Sequence, residues 1–111
     1  MTTALLVPHN GMGHGPPDLQ RILFSKYISL TADHTPLPAA ICFYTDGVKL
    51  VVQGSPAVEL LKALAAKGVK LIVCKTCLDH YGLADKVVVG TIAGMPEIVD
   101  AQAAADKVIT V

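Results

Sequence analysis

Five short apolar runs recur along this chain, and most of them do not alternate with polar residues. They are "TALLVP" (Thr3–Pro8), "AAICFY" (Ala39–Tyr44), "VKLIVC" (Val69–Cys74), "KVVVG" (Lys86–Gly90) and "KVITV" (Lys107–Val111). A strand covered on one face alternates apolar with polar side chains, whereas a nearly continuous run belongs to a strand covered on both. Several of the intervening segments have helical periodicity, so the order reads strand, helix, strand. That order requires crossover connections and produces a parallel sheet with helices on both faces. The expected fold class is α/β: a three-layer α/β/α sandwich with a five-stranded, mostly parallel sheet. The 111 residues form one domain, 1–111, with no internal repeat or linker.

The helices are read from their periodicity and their ends. From Asp18 to about Ala32, Leu19, Ile22, Leu23, Tyr27 and Leu30 follow the spacing of one helix face. Ser55 and Pro56 have the types of an N-cap and a first helical residue, and Gly68 closes that helix at about Lys67. Met95-Pro96 opens a further helix that runs to about Ala105. The segment "VKLVV" (Val48–Val52) fits either a short extra strand or an apolar loop packed over the sheet.

Composition narrows the function. Hydrophobic residues make up 52% and charged residues 16%, which excludes disorder. So apolar a chain of this size points to surface covered by further copies, hence a homo-oligomer. Nine basic residues balance nine acidic ones, so the charge that drives nucleic-acid binding is missing. No apolar stretch reaches the about 20 residues of a membrane span. The N-terminal "MTTALLVPHNGMGHG" lacks the basic region of a signal peptide, and the cytoplasm is the expected compartment. Three cysteines, an odd number, point away from a secreted disulfide framework and towards metal binding or thiol chemistry.

Two of the three lie in "VCKTCLDHYG" (Val73–Gly82). Cys74 ends an apolar strand, and ligands of open parallel sheets bind beyond the carboxyl ends of the strands. Thr76 has the type of an N-cap, Asp79 stands three residues on as in a capping box, and Gly82 ends the turn. Cys77 then falls in the first turn of a short helix, whose free N–H groups and dipole favour a thiolate, and Lys75 adds a positive charge. Three readings remain open at this point. The pair is reactive; it holds a metal together with His80 and His9 or His14; or both thiols only fill space. A structural zinc site ordinarily has a second close ligand pair, which this chain lacks. Cys42, inside "AAICFY", reads as core.

The block "GVKLIVCKTCLDHYGL", preceded by "FYTDGVKL" and followed by "MPEIVDAQAAADKVITV", resembles the DsrE/DsrF-like family over nearly the whole chain. It is most similar to the C-terminal domain of YedF-type, sulfurtransferase-like proteins linked to selenium metabolism. The resemblance implies a five-stranded parallel sheet between helices, assembly as trimers or hexamers, and a persulfide carried on the cysteine at position 74. It also implies sulfur donor and acceptor proteins as partners, a TusA-like protein among them. On that basis Cys74 is the expected nucleophile and carrier, Cys77 the resolving thiol and Lys75 the thiolate stabiliser. The chain departs from the pattern in three ways. It has no Cys-Pro-x-Pro motif, it has Lys75 where close relatives often have glycine, and it has a second thiol that the relay subunits lack. A thiol beside a persulfide can attack it, expel sulfide and leave a disulfide.

Other motifs weigh less. "GMGHG" (Gly11–Gly15) has Pro16 where a dinucleotide-binding loop needs its third glycine, so no cofactor is implied. His14 reads as a solvated loop residue or a proton donor. Asp46 reads as a turn cap whose charge would oppose thiolate formation nearby. Tyr81 reads as packed, and His80 as surface or site.

Overall fold

The computed structural model describes residues 2–111. Its strands are β1 (Thr3–Val7), β2 (Ala40–Phe43), β3 (Lys70–Cys74), β4 (Thr91–Ala93) and β5 (Lys107–Thr110). Its α-helices are α1 (Pro17–Ala32), α2 (Val58–Ala66), α3 (Lys75–Tyr81) and α4 (Met95–Ala104), joined by 3-10 segments at Thr45–Val51 and Ala84–Lys86. The five strands form one sheet in the order β4-β3-β2-β1-β5, and every pairing is parallel. Leu6 stands beside Cys42, Cys42 beside Ile72, and Ile72 beside Thr91. This is the α/β architecture that the apolar runs predict.

The chain steps from β1 to β4 in one direction and then returns across the sheet to β5. Right-handed crossovers therefore put α1 and α2 on one face and α4 on the other. Tyr27 and Leu30 of α1 accordingly border Leu5 and Ile109, while Ala101 and Ala104 of α4 border Ala40 and Ile72. Phe24, Ile28, Phe43, Leu61 and Leu64 are fully buried between α1, α2 and the sheet. Each such side chain contributes about 1.5–3 kcal/mol by leaving water.

Four local expectations are decided, three of them as corrections. Of the two readings of Val48–Val52, the apolar segment packed on the body holds and the extra strand does not: Thr45–Val51 is a 3-10 helix with Val48, Leu50 and Val51 buried. Only a glycine fits at position 47, because a Cβ there would stand 1.8 Å from the Val7 carbonyl oxygen. The second concerns the fourth strand, which is Thr91–Ala93 and not Lys86–Gly90. The "KVVVG" backbone is bonded elsewhere, with Gln53 N–H donating to Lys86 O at 3.0 Å and Val88 N–H to Val51 O at 2.9 Å. Third, α2 starts at Val58, after a turn in which Ser55 Oγ accepts the Ala57 N–H at 3.2 Å. Fourth, the α1 stripe read as one helix face points outwards. Leu19, Ile22, Leu23 and Leu30 are 41–71% exposed, and Phe24 and Ile28 on the opposite side form the buried contact.

Candidate functional site

The carboxyl ends of β1, β2 and β3 gather the loop after Val7, the segment Thr45–Val51 and α3. The helix α3 begins two residues earlier than Thr76 would set it: Cys74 is both the last residue of β3 and the N-cap. Cys77 is therefore the third residue of the helix. Leu78 is buried and pins α3 to the body, and Gly82, at φ 67°, ends it. There Leu83 N–H donates back to Leu78 O at 2.9 Å.

The two thiols are free and differ in access. Cys74 is 1% exposed, whereas Cys77 is half-buried at the surface. The Cys74 side chain is near enough to Cys77 to act on its ionisation. The backbone N–H of Thr45 donates to Cys77 Sγ at 3.0 Å, which is short for a sulfur acceptor. Thr45 is the one non-glycine residue with positive φ (46°) among the described residues, a conformation that costs a β-branched side chain about 1–3 kcal/mol. Its hydroxyl holds the turn by donating towards Pro8 O at 2.6 Å and Tyr44 O at 2.7 Å.

The electrostatics overturn one expectation. The Cys77 pKa is raised, first by burial and then by the neighbouring Cys74 thiol, against the lowering effect of the Thr45 and Cys77 amides. Near neutral pH it is chiefly a thiol. Nor does Lys75 face the sulfurs: its ammonium pairs with Asp79 Oδ2 at 2.7 Å, one helical turn on. That pair also removes Asp79 from the expected capping box. Cys42 is fully buried, and burial raises its pKa, as befits a core thiol.

Beside the thiols lies a polar cluster that the sequence reading left in pieces. Tyr81 Oη donates to Asp46 Oδ1 at 2.5 Å, and Lys49 Nζ lies 3.2 Å from the same oxygen and 4.5 Å from the centre of the Tyr81 ring. The Tyr81 hydrogen bond, then Lys49, lowers the Asp46 pKa, and His9 adds a weaker effect of the same sign. The same hydrogen bond raises Tyr81, so the two shifts agree. Tyr81 is thus tied to Asp46 and not packed in the core, and His80 meets its ring edge-on at 5.2 Å. His9, rather than His14, is the histidine whose charge reaches the cluster. The turn Thr45-Asp46-Gly47 ends the second apolar run and so is expected at this edge, but the pairing of Thr45 with Cys77 and the place of Lys49 carried no signal, because they lie about 30 residues from Cys77 in sequence and only the fold joins them.

Among the described residues, no three His, Cys, Asp or Glu side chains gather as metal ligands, so the metal-holding alternative lacks its ligand set. Two grooves of about 580 and 650 Å³ open on opposite faces of the sheet, and neither is lined by a thiol.

The sheet and its edge define a class: a parallel α/β domain with two thiols at a strand-to-helix junction. The chain belongs to the DsrE/DsrF-like family, whose model matches residues 12–111. Solved structures share the fold. The ychN protein of E. coli is 22% identical and matches 100% of both chains at a TM-score of 0.72. MTH1491 of Methanobacterium thermoautotrophicum, a protein of unknown function, is 18% identical over 99% of this chain and 98% of its own, at 0.73. BT1422 of Bacteroides thetaiotaomicron, also of unknown function, is 13% identical over 98% and 94%, at 0.69. No curated protein matches the chain at a significant level. No helix among the described residues is long and apolar enough to cross a membrane.

Proposed function

We propose that this chain is a sulfur-handling protein of the sulfur-relay type, acting in the cytoplasm, and that the Cys74/Cys77 pair carries sulfur as a persulfide. The observation that supports this reading is the pair of free thiols at the carboxyl edge of the sheet, Cys74 buried and Cys77 half-buried with the Thr45 N–H on its sulfur. A thiol at such an edge meets a protein partner without needing a deep pocket, and neither groove on the sheet faces is lined by the pair. Family membership favours sulfur relay over unrelated thiol chemistry.

The chemistry is an exchange at sulfur. A cysteine thiolate attacks the terminal sulfane sulfur of a donor persulfide or polysulfide, the donor's S–S bond breaks, and the donor leaves as a thiolate. An acceptor thiolate then takes the outer sulfur and restores the cysteine. The donor and acceptor are proteins bearing exposed reactive cysteines, a TusA-like protein among them. Sulfurtransferase-like turnover follows if both are supplied. With its ammonium paired to Asp79, Lys75 is given no part in stabilising the thiolate.

Assembly belongs to the same proposal. Leu19, Ile22, Leu23 and Leu30 leave one side of α1 apolar and exposed, a face suited to a second copy of this chain in a trimer or hexamer.

Cyanide tests the carrier role, since it removes sulfane sulfur as thiocyanate and leaves ordinary thiols untouched. Protein loaded with polysulfide and desalted should yield thiocyanate in proportion to chain, and the Cys74→Ser/Cys77→Ser double variant should yield none. Equal yields from the two would refute the proposal.

A further inference from the structure

The two thiols are unequal in a way that assigns their order of action. We propose that Cys77, not Cys74, is the thiol that receives sulfur, that Thr45 holds it in place, and that Cys74 is the buried resolving thiol. This rests on the sulfur-carrying reading above and reverses the roles that the position of Cys74 at the strand end implies.

Access is the first argument. Attack on a donor's S–S bond needs an open line of approach at the attacking sulfur. Cys77 reaches the surface, whereas Cys74 is 1% exposed and enclosed with the core. The second argument is orientation. The Thr45 N–H points at Cys77 Sγ from 3.0 Å, and Thr45 keeps that aim in a left-handed conformation unusual for threonine, held by its hydroxyl on Pro8 O and Tyr44 O. Strain maintained by specific bonds marks a site where the aim matters. An N–H fixed on sulfur stabilises negative charge as it develops there, both when the thiol ionises to attack and when the outer sulfur departs.

The steps balance. Cys77 gives its proton to solvent, its thiolate bonds to the donor's sulfane sulfur, and the donor leaves as a thiolate. If no acceptor takes the outer sulfur, the Cys74 thiolate attacks Cys77 Sγ. The persulfide S–S bond breaks, hydrosulfide leaves, and a Cys74–Cys77 disulfide remains for an external dithiol to reduce. Burial of Cys74 slows that discharge and lets the persulfide live long enough to be delivered.

Lys75 makes the test direct, because trypsin cuts after Lys70, Lys75 and Lys86 and so places Cys74 and Cys77 in separate peptides. Reduced native protein is treated briefly with iodoacetamide, or with inorganic polysulfide followed by alkylation, and the two peptides are weighed. Cys77 should alkylate at least about tenfold faster than Cys74. The added sulfur should sit on the 76–86 peptide, persist longer in Cys74→Ser and vanish in Cys77→Ser. Sulfur on the 71–75 peptide, or Cys74 alkylating as fast as Cys77, overturns the assignment while leaving the carrier reading intact. If no form takes up sulfur, the carrier reading itself fails, and the alkylation order, which uses unmodified wild type, still shows whether Cys77 is the open thiol.

Discussion

Thr45, Asp46 and Gly47 occupy three consecutive positions, and each serves the site differently. Thr45 aims an N–H at Cys77, Asp46 receives the Tyr81 hydroxyl, and Gly47 lets the segment lie against Val7. A Gly47→Ala variant must push the segment off the Val7 carbonyl, so a loss of about 3 kcal/mol is expected by chemical denaturation. Tyr81→Phe removes the main cause of the lowered Asp46 pKa, which should move up towards the ordinary carboxylate value in an NMR titration. The sign for stability follows. A carboxyl with a depressed folded pKa stabilises above the ordinary carboxylate range, and that contribution is lost as pH falls through the depressed value. The gap in denaturation midpoint between wild type and Tyr81→Phe should therefore be present at neutral pH and close in acid. At this scale the sequence disclosed where the thiols stand, since a cysteine ending an apolar run must emerge at the strand's end. It did not disclose their ionisation. Burial and then the neighbouring Cys74, both products of packing, raise Cys77 against the helix-terminus effect that spacing alone suggests.

Among the elements, α3 and the segment Thr45–Val51 act as a pair. The Thr45–Cys77 and Asp46–Tyr81 bonds join them at either end of α3, and Leu78 anchors the helix below. A Leu78→Ala change should cost about 2–5 kcal/mol. It should also make Cys74 alkylate faster, because the helix that encloses it loosens. Unchanged protection of Cys74 would show that α3 is not its cover. The misread elements have a common cause. "KVVVG" has the composition of a strand, but its backbone is engaged by Val51 and Gln53, so the sheet edge is built from the less apolar Thr91–Ala93. The α1 stripe has true helical spacing, yet periodicity tells only that side chains share a face. In α1 two apolar faces compete, and the one with Phe24 takes the core.

For the molecule as a whole, the sheet class and the emergence of the thiols at the carboxyl end of β3 were legible, because uninterrupted apolar strands admit few arrangements. Strand order and the side-chain constellation were not, since they depend on contacts between residues far apart in sequence. The outward apolar face of α1 bears on assembly. An Ile22→Lys variant places a charge at its centre and should lower the mass found by light scattering from that of the wild-type assembly. A wild type that is monomeric would remove α1 as an interface. The account's central claim is that this pair of thiols takes on sulfur covalently, and intact mass spectrometry of the reduced protein after polysulfide tests it most directly. The account predicts a gain of one sulfur atom that a reductant reverses and that the double serine variant lacks. An unchanged mass in wild type, with both thiols still reduced, would contradict it.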